Sequence, residues 1–292
     1  MPAAELDVSA ELVRALLEDQ HPDLVGRPLR LVANGWDNVL FRVGDDLVAR
    51  LPRRELAVPL VEHEQRWLPE LAPRLPLPIP APVRLGRPGP GYPWPWSICP
   101  WIEGESALVS PPSDLAATAV ALGRFLAAVH QPAPADAPAN PFRGIPLSGR
   151  TERTLAALDD LGDAVDGPRL RRLWGELLEL PAWDRPPVWV HGDTHPGNLV
   201  VRDGELVAVV DWGDLTSGDP ASDLVVAWML FPAEHRSAFR TAVGADDDAA
   251  LWDRGRAWAL AIALSLLASS ADNPEYAAMA RRTLAEALRE LD

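Results

Sequence analysis

Three short segments carry residue types that do chemistry. The run His191-Gly192-Asp193-Thr194-His195-Pro196-Gly197-Asn198 places an Asp five positions before an Asn, and the triplet Asp211-Trp212-Gly213 begins thirteen residues beyond that Asn. In phosphoryl-transfer sites an Asp at the first position accepts or orients the hydroxyl proton, while an Asn five residues on reaches a magnesium ion. Asp211 closes the stretch NLVVRDGELVAVVDWG, two alternating apolar runs joined by Asp203-Gly204, a strong two-residue hairpin signal. A hairpin folds its ends together, so Asn198 and Asp211 are expected to offer hard oxygen ligands to one Mg2+. The third segment is Arg50, taken together with Glu64 on a following helix.

Blander readings of the same residues are weaker. His191 and His195 are four apart like a zinc pair, but Gly192, Pro196 and Gly197 argue against the helix such a pair needs. His191 is expected to shape the turn around Asp193, and His130, ending an apolar helical face, to serve as a core or helix-end residue. Asp193, Asn198 and Asp211 are also turn-forming types. Three turn formers meeting the whole spacing by chance is improbable. Glu64 alone would be a solvated helix charge, and its case depends on Arg50.

The elements that position these residues change in character along the chain. A helix capped by Ser9 carries Leu12, Val13, Leu16 and Leu17 in one stripe. LRLVANGWDNVLFRVGDDLVARLP then reads as an antiparallel meander, with Asn34-Gly35 and Gly44-Asp45-Asp46 as turns. A helix over 58–71 and Pro-rich extended segments follow. After Gly104 the pattern is helical: one helix opened by Pro112 and Ser113, a loop with five prolines between 131 and 148, and helices over 151–161 and 168–180. VWVHGD returns to strand, the hairpin follows, and 222–292 is mostly helix. The reading is α+β, with a strand-rich part over 1–103, a hinge near 101–104, and a helical part over 104–292 that contains the hairpin.

Composition narrows the class. With 292 residues, 48% of them apolar, the chain can bury a core without disulfides, and its one cysteine, Cys99, fits a reducing compartment. No signal peptide is visible, and the apolar stretch 257–271 is too short to span a bilayer, so a cytoplasmic location is expected. Net charge is −15, with 14 acids against 11 arginines in 1–103 and 28 against 16 in 104–292. Such a surface disfavours nucleic acid and anionic membrane as partners and favours a cationic ligand. Asp159, Asp160, Asp163 and Asp166 form one acidic cluster, and Asp246, Asp247, Asp248 and Asp253 another. Every basic side chain is arginine, so no lysine is available for phosphate.

HGDTHPGN followed by VVDWGDLTSGDPASDL resembles the aminoglycoside phosphotransferase family of small-molecule kinases, and the likeness extends over most of the chain. The resemblance implies a two-lobed protein-kinase-like fold, with a strand-rich N-lobe and a mostly helical C-lobe. It implies Asp193 as catalytic base, Asn198 and Asp211 as magnesium ligands, and Arg50, held by Glu64, on the α- and β-phosphates. NGWDNVLFRVGDDLVARLPR is similar to the family's first three strands, whose nucleotide-covering turn would contain Gly35 and Asn38. The stretch 98–102, with Pro100, Trp101 and Ile102, would meet adenine through its backbone, and Trp96 and Trp101 would line that pocket. The chain departs from the family in having Arg50 where lysine is familiar, and a single glycine in the turn. Only six residues separate Asp211 from Gly218-Asp219-Pro220, which leaves no room for a peptide-docking activation loop. Asp219 and Asp223 are expected to be structural.

The implied activity is transfer of the γ-phosphoryl group of ATP, or of GTP, to a hydroxyl of a small molecule. An antibiotic such as an aminoglycoside is the first expectation. A macrolide or a small metabolite, sugar or amino alcohol, is the alternative acceptor. A metal-dependent phosphoesterase would need further His and Asp ligands, and a non-catalytic nucleotide-binding protein is disfavoured by intact Asp193, Asn198 and Asp211. The sequence leaves the oligomeric state open.

Overall fold

The computed structural model describes residues 4–35 and 37–289, so Trp36 of the first turn lies outside the described residues. Two compact units are present, one drawn from Met1–Glu103 and Val209–Gly213, the other from Gly104–Ala208 and Asp214–Asp292. The sequence reading gave 209–213 to the helical part; the structure groups it with the strands.

The first unit opens with helix α1 (Ala10–Gln20), capped as expected by the Ser9 hydroxyl, which accepts from Leu12 N at 3.2 Å. Strands β1 (Leu29–Asn34), β2 (Asn38–Val43) and β3 (Leu47–Pro52) form the meander. Helix α2 (Val58–Leu71) follows, then β4 (Arg84–Gly86) and β5 (Trp96–Pro100). The sheet order is β1-β2-β3-β5-β4, antiparallel throughout. Val13, Leu16 and Leu17 of α1 pack with Val43, Leu51 and Ile98 of the sheet in one core. In α2 the buried positions Val61, Glu64, Leu68 and Leu71 follow the helical period, so a carboxylate stands in an otherwise apolar stripe. The next residue, Gln65, anchors the helix by donating to Trp96 O at 2.8 Å and Ser97 Oγ at 3.1 Å.

The second unit begins with the short strand β6 (Glu105–Ser106) and helices α3 (Leu115–Val129), α4 (Thr151–Leu161) and α5 (Gly167–Leu177). Strands β7 (Val188–Val190), β8 (Leu199–Arg202), β9 (Glu205–Val209) and β10 (Thr216–Gly218) come next, then α6 (Val226–Leu230), α7 (Ala233–Val243), α8 (Ala249–Ser269) and α9 (Pro274–Arg289). The α3 cap is Asp114, whose carboxylate accepts from Ala117 N, because Ser113 is engaged with Gly204 O instead. Helix α5 ends three residues earlier than expected. The turn between β8 and β9 is the anticipated hairpin, with Asp203 and Gly204 at φ 54° and 80°. The apolar stretch 257–271 falls largely within α8, whose Ala257, Trp258, Leu260 and Leu264 are buried in the protein's own core. Among the described residues no helix is long and apolar enough to cross a membrane.

The Pro-rich loop after α3 is held to two strands. Trp189 N donates to Gln131 O at 2.9 Å, Ser217 N to Pro138 O at 3.0 Å, and Asp219 N to Gly144 O at 2.9 Å. Proline supplies no N–H, so the loop's carbonyls take these donors, and the loop is tied at these points to β7 and to the β10 region.

Candidate active site

In the first unit the chemistry gathers on Arg50. Its place in β3, opposite Leu40 of β2 and Ser97 of β5, sends its guanidinium to α2. There Nη1 donates to Glu64 Oε1 at 2.7 Å, and Nη2 donates to Asp211 Oδ1 at 3.2 Å. With the Asn38 carboxamide oxygen turned toward the same group, it accepts from Nη2 at 3.1 Å and Nε at 3.2 Å. Asn38 was expected on the nucleotide; the structure puts its side chain on Arg50. Burial alone would lower the Arg50 pKa, but Glu64 and Asp211 raise it, so the guanidinium stays charged. Burial pushes the Glu64 carboxyl up to about 7, against the pull of Arg50. Asp211 has a left-handed backbone, φ 60°, a conformation that a non-glycine residue adopts at some cost, and the buried Trp212 indole fixes it by donating to Val209 O.

The turn between β1 and β2 is gripped from below by the two arginines that follow β3. Arg53 donates to Asn34 Oδ1 at 2.8 Å and to Gly35 O at 2.9 Å, and Arg54 donates to Asp37 Oδ1 at 2.7 Å. Pro100 ends β5, and Trp101 N donates to Asp46 O. The Trp101 ring lies under Arg42, 4.8 Å from its Cζ, and its indole N–H donates to Glu103. Trp96 corrects the sequence reading: it is fully buried in the α1 core, edge-on to His21 at 5.5 Å, and lines no pocket. Period-two alternation puts it on the same face as Ile98, away from α2.

In the second unit the chemistry gathers on Asp193. Asn198 Nδ2 donates to Asp193 O at 2.9 Å and to Oδ2 at 3.2 Å. His195 Nδ1 accepts from Gly197 N at 2.9 Å, so Nε2 carries a proton and points it at Asp193 Oδ2, 3.3 Å away. Arg143 Nη2 donates to Asp193 Oδ1 at 3.1 Å, and its Nε lies 3.5 Å from Asp214 Oδ2. Burial alone would raise the Asp193 pKa, but His195 above all, with Arg143 and His191, holds the carboxyl well below the usual range. Gly192 is required: its φ is 89°, and a Cβ there would lie 2.3 Å from Asp214 O.

Asp223 braces this loop from beneath. Fully buried, it accepts from His191 N and Gly192 N at 2.8 Å, Thr194 Oγ1 at 3.0 Å and His130 Nε2 at 3.1 Å. Asp219 caps the next turn and pairs with Arg254 Nε at 2.8 Å. Both are structural, as the sequence indicated, and His130 is a helix-end residue. Arg143 and Asp214 were missed. The available signal for Arg143 was that it is the one basic residue between 131 and 148.

In each unit by itself, one oxygen of a predicted metal ligand is left over as a hard donor. Asn198 uses Nδ2 on Asp193, which leaves Oδ1, and Asp211 uses Oδ1 on Arg50, which leaves Oδ2. No group of three or more His, Cys, Asp or Glu among the described residues is arranged to hold a metal, so His191 and His195 belong to no such cluster.

A family model described as the phosphotransferase enzyme family matches residues 28–258. No curated protein matches the sequence significantly. Among solved structures, the chain is similar to the GDP complex of aminoglycoside 2'-phosphotransferase-IIIa, with TM-score 0.71 at 18% identity, covering 98% of this chain and 100% of that one. It is similar to the apoenzyme of macrolide 2'-phosphotransferase MphH from Brachybacterium faecium, with TM-score 0.65 at 25% identity, covering 96% and 98%. It is also similar to the streptomycin-ATP-APH(2'')-IIa ternary complex, with TM-score 0.62 at 18% identity, covering 91% and 92%. These likenesses give the two-lobed kinase-like fold that the motifs implied.

Proposed function

Since the chain belongs to the phosphotransferase enzyme family and is a phosphotransferase acting on hydroxyl groups, we propose that it moves the γ-phosphoryl group of ATP, with Mg2+, to a hydroxyl of a small organic molecule. The observation that carries this reading is the guanidinium of Arg50, held by Asn38, Glu64 and Asp211 as a fixed cation on a strand. Phosphoryl transfer is catalysed by positioning and by charge rather than by covalent chemistry. Arg50 binds the nucleotide phosphates through its planar fork, which addresses phosphate and carboxylate together. Asn198 and Asp211, the residues the motifs assign to the metal, would hold Mg2+, which when bound would neutralise charge on the phosphates. Gly35 and the turn around it cover the nucleotide, and the backbone of Pro100, Trp101 and Ile102 meets its base.

Asp193 receives the acceptor. Its carboxylate has about four lone-pair sites, and Arg143, His195 and Asn198 take three of them, leaving one on Oδ1 for a substrate O–H. A carboxylate held so far below neutrality is a weak base, and its main contribution is to orient the hydroxyl at the phosphorus. The similar structures include proteins named for aminoglycosides and for macrolides, so an antibiotic acceptor, and with it a role in resistance, stays among the tested possibilities.

The test is incubation with Mg-ATP or Mg-GTP and a panel of aminoglycosides, macrolides, sugars, amino alcohols and hydroxy acids, read by mass spectrometry for added phosphate. Asp193→Asn is expected to bind nucleotide normally and to lower turnover by about 10² to 10⁴. Near-normal turnover in that variant would remove Asp193 from the mechanism.

A further inference from the structure

Among the described residues of the second unit, the buried arginines are neutralised with one exception. Arg254 pairs with Asp219 and Arg236 with Glu286. Arg150, only 2% exposed, finds no carboxylate and no carbonyl among the described residues. It ends the short turn Leu147–Arg150 and stands at the N-terminus of α4. Its Nε and Nη1 both lack an acceptor. Facing it, 5.4 Å from Cζ to ring centroid, is the fully buried Trp258, whose indole N–H also lacks an acceptor.

The surroundings add positive charge rather than remove it. Burial, then the charges of Arg143 and Arg153, push the Arg150 guanidinium down to about 10. Arg143 is the residue bonded to Asp193, and Arg153, one turn along α4, stacks over Phe142 at 3.8 Å. Buried polar groups are normally satisfied, and three buried donors without an acceptor mark a missing partner. A water molecule would accept hydrogen bonds without neutralising the cation. A buried, unpaired guanidinium at the start of a helix is a setting that takes an anion.

We propose that Arg150, with Arg143 and Arg153, binds an anionic group, carboxylate or phosphate, carried by the acceptor beside the hydroxyl that Asp193 orients. The substrate class is then a hydroxy acid or a phosphorylated alcohol. This rests on the phosphotransferase reading for the hydroxyl, but not for the anion. Five of the eight acids in the clusters that favoured a cationic acceptor are engaged within the protein: Asp166 and Asp248 cap α5 and α8, and Asp159, Asp246 and Asp253 pair with Arg171, Arg240 and Arg256.

Binding of the anion is measured without nucleotide, by thermal unfolding in sodium phosphate against sodium chloride at equal ionic strength. Phosphate at about 50 mM is expected to raise the Tm by about 2–5 °C. Arg150→Met removes an unpaired buried charge while keeping an unbranched apolar chain, so it is expected to fold and to lose the shift. Because phosphate can also meet Arg50 at the proposed nucleotide site, the comparison is made in an Arg50→Ala background, where a shift is expected to remain and to be lost when Arg150→Met is added. No shift in the wild type, none in Arg50→Ala, or a shift retained in the Arg50→Ala, Arg150→Met double variant would overturn the site. Should Arg150→Met not fold, the exposed Arg153→Glu takes its place, with the shift expected to fall by half or more, and an unchanged shift overturning the cluster. Turnover of matched pairs, glycerate against glycerol and a sugar phosphate against its sugar, identifies the source of the anion. The anionic member is expected to be preferred at least about tenfold in kcat/KM, and the preference to be lost in Arg153→Glu. A phosphate shift without that preference would assign the site to free phosphate and overturn the acceptor's part. A shift without turnover of any acceptor supports the anion site and counts against the phosphotransferase reading instead.

Discussion

Arg50 is a cation whose hydrogen bonds within the protein are already made, and the consequence is pH dependence. Its bond to Glu64 exists in full only while Glu64 is ionised, and burial has moved that carboxyl up to about 7. As pH falls through this value Glu64 takes a proton, and Arg50 loses the charge that fixes it. The expected outcome is a decline in kcat/KM for ATP on the acid side with a midpoint near 7, a limb that reports the free enzyme. Stability moves the other way. A carboxyl whose folded pKa exceeds its unfolded value of 4.5 binds more protons in the native state between the two, so its contribution is greatest below 4.5 and is lost as pH rises through the folded value. Asp193 contributes no such limb, because its carboxyl is held below the usual range and stays ionised throughout. Glu64→Gln, which cannot titrate, should give a lower but flat acid-side profile. The same limb persisting in Glu64→Gln would assign it to another group.

At the scale of elements, the catalytic turn is rigid because one buried carboxylate satisfies four donors. Asp223→Ala leaves His191 N, Gly192 N, Thr194 Oγ1 and His130 Nε2 without their acceptor. The expected loss is about 3–5 kcal/mol in urea unfolding, the range for breaking a buried charged network. A loss under about 1 kcal/mol would mean that the turn holds itself. Most of this architecture was legible. Ser9, the period in α2 and the Asp203-Gly204 turn are local signals, and each element they mark formed where expected. Arg143 was not legible because prolines encode an extended backbone without encoding its path. Only the tertiary hydrogen bonds to β7 and β10 bring 131–146 past Asp193. The use of Asn38 was hidden for a similar reason: its position in a turn motif was visible, but the β2–β3 register that pairs it with Pro52, diagonal to Arg50, is a property of the sheet.

For the whole molecule, the net charge of −15 and the buried Arg150 act on an acceptor with opposite signs and different ranges. Long-range repulsion of an anion by the acidic surface is screened by salt, whereas attraction at a buried guanidinium is screened much less. Raising salt from about 0.02 to about 0.3 M shortens the Debye length severalfold, and should therefore increase kcat/KM for an anionic acceptor by weakening the repulsion on approach. A polycationic acceptor would show the reverse slope, since the acidic surface would steer it in at low salt. A neutral acceptor would show neither. The slope distinguishes an acceptor chosen by the surface, which composition alone suggests, from one chosen by Arg150 and its neighbours. A falling profile for every acceptor that turns over would return the choice to the surface acids and remove the acceptor from the arginine cluster.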